Sequence, residues 1–398
     1  MTTHQLSRRT FIRSGAAAAT ALAAAPAAFG FFADAAAPSG GGATLRWGVI
    51  GTGTRGAFTH LPVLKEAPES QLVALCDVSE ERLHAAAEKA PEKLATLGDY
   101  QKLLASPDVN AVVIATPNLL HREMLQAAIQ AGKHVLCEKP AGVNASDAAA
   151  MKRAVDSAKT VVMFGMQYRH NPRQRQIAQL LAEGRIGKPL YVVQNCSRGD
   201  WNRSPNVWQY SDPKVNGGKP GNWRFSHAAS GGTLNEFDCH YFDLLHWTAG
   251  ALPERVSCDG GISAYHDGRD TWDHATVTLT YPGGVSAVHT LCLFGPNRAD
   301  LTVMGEDGAI ELAGDTLRVS NPARRGQKQR SQEIPLPQNE RRSADGSTLK
   351  LYEDFLACVK TSKKPDAGVD RAVAASRTCW LAELAAERHA EVKWDDLA

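Results

Sequence analysis

The chain has 398 residues, of which 43% are hydrophobic and 22% charged, with a formal net charge of +2. That length is enough for two domains, and the near-neutral balance gives no electrostatic case for nucleic acid or an anionic membrane as partner. Eight cysteines, at positions 76, 137, 196, 239, 258, 292, 358 and 379, form neither a C-x-x-C pair nor a zinc-ligand spacing, and a chain this large needs no disulfide scaffold.

Residues 1–37 read as a targeting segment rather than as part of the fold. Ser7-Arg8-Arg9-Thr10-Phe11-Ile12-Arg13 resembles the bacterial twin-arginine signal, and an Ala-rich stretch follows from Gly15 to Phe32. Ala33-Asp34-Ala35 and Ala35-Ala36-Ala37 are both suitable small-residue cleavage sites. Pro26 interrupts the apolar stretch, so it does not read as a membrane span, and none is expected after signal removal. The expectation is a periplasmic protein exported by the twin-arginine translocation machinery. Removing the segment turns 44 basic against 42 acidic residues into 41 against 41, a formally neutral chain.

Over residues 44–165 short apolar runs alternate with amphipathic helical patterns, which argues for a parallel sheet covered by helices. Strands are predicted at 45–50, 71–76, 111–115, 134–137 and 161–164. The first runs straight into Gly51, Thr52, Gly53, Thr54, Arg55 and Gly56, a G-x-G-x-x-G loop that opens a helix. In that context the first glycine permits a tight turn, the second lets a pyrophosphate approach the backbone, and the third lets the helix pack on its strand. The helix N-terminus then offers unpaired N–H groups to the phosphates. Asp77 closes the second strand, 21 residues beyond Gly56. There it would accept a hydrogen bond from a ribose 2'-hydroxyl and repel a 2'-phosphate, so NAD is expected over NADP.

Between the third and fourth strands Leu120, Met124, Leu125, Ala128 and Ile129 share one helical face, and Gly132 stops that helix. The fourth strand ends in Cys137-Glu138-Lys139-Pro140, at the sheet edge where ligands gather in doubly wound folds. Taken alone, Lys139 suits either an ordinary surface lysine or a desolvated proton relay.

Past Pro172 the pattern changes. A helix ending near Gly184 leads into longer alternating segments, 190–196, 275–281 and 285–293, the last two joined by Pro282-Gly283-Gly284. They read as a largely antiparallel sheet within a second domain, 166–398. Residues 321–347 read as a polar, solvated excursion, and a final amphipathic helix puts Val373, Trp380, Leu381 and Leu384 on one face. Between Arg198 and Arg224 the chain interleaves Trp201, Trp208, Tyr210 and Trp223 with Asn202, Asn206 and Asn222. Aromatic faces beside amide and guanidinium donors suit a carbohydrate substrate, although any single Trp would equally suit an oligomer interface.

Taken together, these residues resemble the glucose-fructose oxidoreductase and inositol dehydrogenase family (Gfo/Idh/MocA). The matching positions are the Gly51 to Gly56 loop, Asp77, Thr116-Pro117-Asn118 with His121, Glu138-Lys139-Pro140, and Gly231-Gly232 with His240 and Asp243. The resemblance implies an α/β fold: a Rossmann dinucleotide-binding domain plus an α/β domain with an open sheet that often mediates homo-oligomers. It implies NAD contacts from Thr116, Asn118, His121, Glu138 and Lys139, a Lys139 that hydrogen-bonds the reacting hydroxyl, and a cis Lys139–Pro140 bond.

One departure stands out. The family usually has Asp four residues before the catalytic His, whereas this chain has Glu236 before His240. On a regular helix Glu236, His240 and Asp243 share a face at i, i+4 and i+7; the bland alternative is a polar surface face. Asp238 stands where relatives often carry Gly and is expected to narrow or recharge the pocket. Glu236, His240 and Asp243 are of metal-ligand type, but a second cluster is missing and no metal is expected.

The implied activity is NAD-dependent oxidation or reduction of a sugar or sugar derivative. In it Lys139 and His240 pass the hydroxyl proton, Glu236 orients His240, and Tyr168, Arg198, Trp201, Trp208, Trp223, Arg224 and Asp243 hold the substrate. Free NAD is scarce in the periplasm, so the resemblance implies a tightly bound cofactor recycled by a second sugar. Two rivals remain: NAD-dependent glycoside cleavage by oxidation and elimination, with Glu236, Asp238 or Tyr168 as further base, and a non-catalytic sugar-binding protein, against which Lys139 and His240 argue.

Overall fold

The computed structural model describes residues 44–90, 94–199, 209–210, 221–322, 328–336 and 346–397, so the N-terminal residues 1–43, Trp201 and Trp208 lie outside the described residues. Six parallel strands form the first sheet: β1 (Leu45–Ile50), β2 (Ser70–Cys76), β3 (Ala95–Leu97), β4 (Ala111–Ile114), β5 (His134–Cys137) and β6 (Val162–Phe164). Their order is β3-β2-β1-β4-β5-β6. The direction of winding reverses between β1 and β4, so a crevice opens beyond the C-terminal ends of those two strands. β4 reads Ala-Val-Val-Ile with every residue buried, as expected for a strand covered on both faces. β3 was not legible as a strand: it is three residues long, with Ala95 and Thr96 exposed.

The second sheet has nine strands: β7 (Pro189–Ser197), then, after the short pair β8 (Gln209–Tyr210) and β9 (Gly221–Asn222), β10 (Arg255–Gly261), β11 (His274–Thr280), β12 (Ser286–Cys292), β13 (Arg298–Gly305), β14 (Ala309–Ala313), β15 (Thr316–Ser320), β16 (Ser331–Ile334) and β17 (Val392–Lys393). The order is β16-β15-β14-β13-β7-β12-β11-β10-β17, antiparallel except where β7 meets β12. Burial alternates along β11 and β12, the signature of a sheet with one covered face. The helices Cys239–Ala249 and Val369–Arg388 pack together, and the latter also packs on β10. Ala372, Ala375, Cys379 and Ala382 are buried along the final helix, and Trp380 and Leu381 are buried with them. Val373 and Leu384 are half-buried at the margin of that face. The polar stretch 321–347 corrects one expectation, because it contains β16, whose residues are mostly exposed yet pair with β15.

The chain also returns to the first sheet. Trp47 of β1 is fully buried, with ring centroids 5.1 Å from both Tyr352 and Phe355 of the helix Gly346–Thr361. Phe164 of β6 donates its N–H to the Ala367 carbonyl at 2.9 Å. No helix among the described residues is long and apolar enough to cross a membrane.

Candidate active site

A cleft of about 620 Å³ lies at the C-terminal ends of β1, β2, β4 and β5. The three glycines take distinct positions at its floor. Gly51 has φ +94°, and a Cβ there would sit 2.6 Å from the Ala115 carbonyl oxygen. A Cβ on Gly56 would run into the Gly51 carbonyl, whereas Gly53 has nothing within 4 Å on its open side. Turn, tight packing and free backbone approach are what a bound pyrophosphate requires of such a loop. Gly51, Gly53, Thr54 and Arg55 line the cleft.

Thr52 does not. Its N–H and hydroxyl donate to Asp77 Oδ2 at 2.8 and 3.1 Å, and the Ser79 N–H donates to Oδ1 at 2.9 Å. Asp77 is therefore held at the β2 end of the cleft, with Arg82 Nε 3.5 Å from Oδ1. Replacing Asp77 by Ala should weaken NAD and cut its preference over NADP by about 1–3 kcal/mol, the scale of a charge-assisted hydrogen bond. Titration calorimetry with both nucleotides checks this; an unchanged affinity ratio would contradict the assignment.

Glu138, at the end of β5, accepts from Arg55 Nε at 2.7 Å and lies 2.9 Å from His60 Nε2, whose Nδ1 is 2.9 Å from the Tyr352 hydroxyl. Burial alone would raise the Glu138 carboxyl, but the Arg55 guanidinium and His60 hold it well below the usual carboxylate range. Gly165 permits this arrangement, since a Cβ there would sit 2.6 Å from the carboxylate. Nothing local marks His60 in the sequence, because its partners are 78 and 292 residues away. Thr116 and Asn118 line the cleft. His121 stands behind them, with ring nitrogens 3.1 Å from the Pro140 and Thr116 carbonyls. It thus braces the cis Lys139–Pro140 turn against the loop after β4, and burial pushes its pKa down.

Lys139, Glu236, His240 and Tyr168 meet at the other end of the cleft, with Trp223 and Arg224 beside them. Lys139 Nζ donates to the Glu236 backbone carbonyl and lies 3.2 Å from Oε2. Asn118 Nδ2 donates to the same Oε2 at 2.9 Å, and Arg224 ion-pairs with Oε1. The His240 ring stacks on Tyr168 with centroids 4.3 Å apart and planes 16° from parallel. Burial, reinforced by Arg224, pulls the Lys139 pKa down to about 8 despite its acidic neighbours. Burial and the Lys139 charge take His240 down to about 3. Near neutrality Lys139 is therefore poised to gain or lose a proton, while His240 is a neutral hydrogen-bonding group.

The face predicted for Glu236, His240 and Asp243 is kept only in part: Glu236 and His240 both line the cleft and Asp243 does not. Leu234–Asp238 form a single π-helical turn before the α-helix starts at Cys239, so Glu236 belongs to a different turn geometry from the regular helix that carries His240 and Asp243. Among the described residues the Glu236 carboxylate engages Arg224, Lys139 and Asn118 and not His240. Asp243 is absent from the cleft wall: it pairs with buried Arg169 at 2.7 Å. Asp238 is absent from the cleft wall, fully buried 3.1 Å from His289 of β12, although its carboxyl still interacts with the Lys139 charge. Arg198 stands one layer back, 5.3 Å over the ring of Phe237, which does line the cleft. Trp201 and Trp208 fall outside the described residues. Among those residues no group of three His, Cys, Asp or Glu side chains is arranged to hold a metal ion.

The model of an oxidoreductase family with an NAD-binding Rossmann fold matches residues 45–166, and that of the GFO/IDH/MocA C-terminal domain matches residues 174–311. The chain is 29% identical to myo-inositol 2-dehydrogenase of Thermotoga maritima over 69% of its own length and 74% of the relative's. It is 29% identical to 2,7-anhydro-N-acetylneuraminate hydratase of Mediterraneibacter gnavus, over 69% and 70% of the two chains. A levoglucosan dehydrogenase crystallised with NADH and levoglucosan superposes with a TM-score of 0.75 at 21% identity, covering 88% of this chain and all of that one; it shares the fold.

Proposed function

This chain belongs to the Gfo/Idh/MocA family of NAD-binding oxidoreductases, and on that premise we propose that it oxidises or reduces a CH–OH group of a sugar or sugar derivative. The observation that carries the reading is the meeting of half-buried Lys139 with Glu236, His240 and Tyr168 at one end of a dinucleotide cleft, where burial lowers the lysine pKa to about 8. NAD supplies the hydride acceptor or donor. In the oxidative direction neutral Lys139 takes the proton of the substrate hydroxyl as the hydride leaves the same carbon. His240, unable to carry a charge near neutrality, holds the substrate oxygen as a hydrogen-bond partner. Glu236 anchors Lys139 rather than His240, and Trp223 lines the cleft with the Arg224 guanidinium over its ring.

The pH dependence tests this reading. Oxidation needs Lys139 deprotonated, so kcat/KM should rise with pH through about 8, and reduction needs it protonated, so that profile should fall over the same interval. Profiles that are flat from pH 6 to 10 in both directions would remove Lys139 from the proton path.

A second reading, oxidation followed by elimination and return of the same hydride, draws support from the hydratase among the relatives. It uses the same cleft but ends with no net redox change.

The reading extends to location. Ser7-Arg8-Arg9-Thr10-Phe11 supports export through the twin-arginine route, which moves folded proteins and would let NAD bind beforehand. Cell fractionation of the Arg8→Lys, Arg9→Lys double variant should find it retained in the cytoplasm. A periplasmic yield equal to that of the unaltered protein would contradict the proposal.

A further inference from the structure

Arg224 is aimed by its own neighbours. The Asn222 side chain accepts from the Arg224 N–H at 3.0 Å and caps the short turn Trp223–Phe225. The guanidinium lies 4.3 Å over the Trp223 ring, and Trp223 is buried against Ala229 and Leu119, the residue after Asn118. So fixed, the guanidinium meets Glu236 Oε1, and the other carboxylate oxygen is shared by Asn118 and Lys139.

We propose that Arg224 is a positioning residue for proton transfer: by holding one oxygen of Glu236 it fixes the other against Lys139 and offsets the carboxylate charge, so that Lys139 can release its proton. The proposal rests on Lys139 being the proton carrier. From sequence alone Arg224 reads as a sugar-binding donor; the geometry gives its guanidinium a protein carboxylate.

A carboxylate within hydrogen-bond distance of a buried ammonium favours the charged form by about one to three pH units. Lys139 is faced by Glu236 and Arg224, by Asp238, Cys239 and His240 from the start of the following helix, and by Glu138 with Arg55 from its own strand end. Of the two cations among these neighbours, Arg55 is paired with Glu138. Arg224 is the one that balances Glu236. Without it the carboxylate would keep Lys139 protonated into the alkaline range.

The test compares pH profiles of kcat/KM for sugar oxidation by the intact protein, Arg224→Gln, Arg224→Lys and Glu236→Gln, with retained NAD as the check on folding. Arg224→Gln should move the rising limb up by about one pH unit, with roughly tenfold less activity at neutral pH and recovery under alkaline conditions. Arg224→Lys should restore much of the limb's position. Glu236→Gln should move it the opposite way, which keeps the proposal testable if Arg224→Gln fails to fold. An equal loss at every pH with a raised KM and an unmoved limb would make Arg224 a substrate ligand and overturn the proposal. Failure of the Lys139 reading looks different: the unaltered protein would then show no limb that Lys139→Ala abolishes, and the proposal would fall with it.

Discussion

Replacing Lys139 by Ala should lower turnover by about two to four orders of magnitude while leaving NAD bound, the range expected when a positioned proton carrier is lost. The retention follows from geometry. The glycine loop, Asp77 and the Glu138–Arg55 pair, which define the nucleotide end of the cleft, keep their partners without the Lys139 amine. Lys139→Ala should also abolish the pH limb near 8, whereas His240→Ala should lower turnover and leave the limb, because a histidine with a pKa of about 3 does not titrate there. Steady-state kinetics with nucleotide content measured on the same preparation checks both halves. Full activity in Lys139→Ala protein would defeat the assignment.

The second large effect is on stability and arises away from the cleft. Arg169 is buried, with its Nε 2.7 Å from Asp243 and its Nη1 3.0 Å from Asp366, while its guanidinium lies 4.6 Å over the Trp247 ring. Removing the Asp243 carboxylate leaves a buried guanidinium with only the partly exposed Asp366 opposite it. Truncating one partner of such a pair costs about 3–5 kcal/mol, and Asp366 places the expectation for Asp243→Ala at about 3 kcal/mol. Asp243→Asn, which keeps an acceptor, should cost less. Replacing both Arg169 and Asp243 by apolar residues of similar volume should recover most of the loss, since the desolvation of both charges disappears. Urea denaturation at constant m-value measures this; a midpoint unchanged in Asp243→Ala would mean that the pair is not the buried charge pair described.

What was readable in the sequence and what was not divide along a physical line. β4 is buried throughout and β1 and β5 nearly so, which leaves largely apolar runs, and Gly51 and Gly56 occupy positions where backbone geometry dictates residue type. Asp77 follows from its strand end. β3 and β16 carry mostly exposed side chains and form through backbone pairing, which leaves no hydrophobic period to detect. The turn at Leu234–Asp238 misleads for a related reason: a regular 3.6-residue period projects Glu236, His240 and Asp243 onto one face, whereas Glu236 sits in an i→i+5 turn and, of the three, only Glu236 and His240 reach the cleft. The pairings His60–Glu138, Arg169–Asp243 and Asp238–His289 join residues far apart in the chain. No local pattern specifies them.

The central claim is net hydride transfer between a sugar carbon and NAD. A sugar carrying deuterium at the oxidised carbon, given to protein loaded with unlabelled NAD, tests it most directly. After a single turnover the recovered NADH should carry the deuterium and the sugar should appear as the corresponding carbonyl compound. Recovery of unlabelled NAD together with a cleaved or hydrated sugar that has kept its deuterium would contradict the account and assign the cleft to the oxidation–elimination reaction.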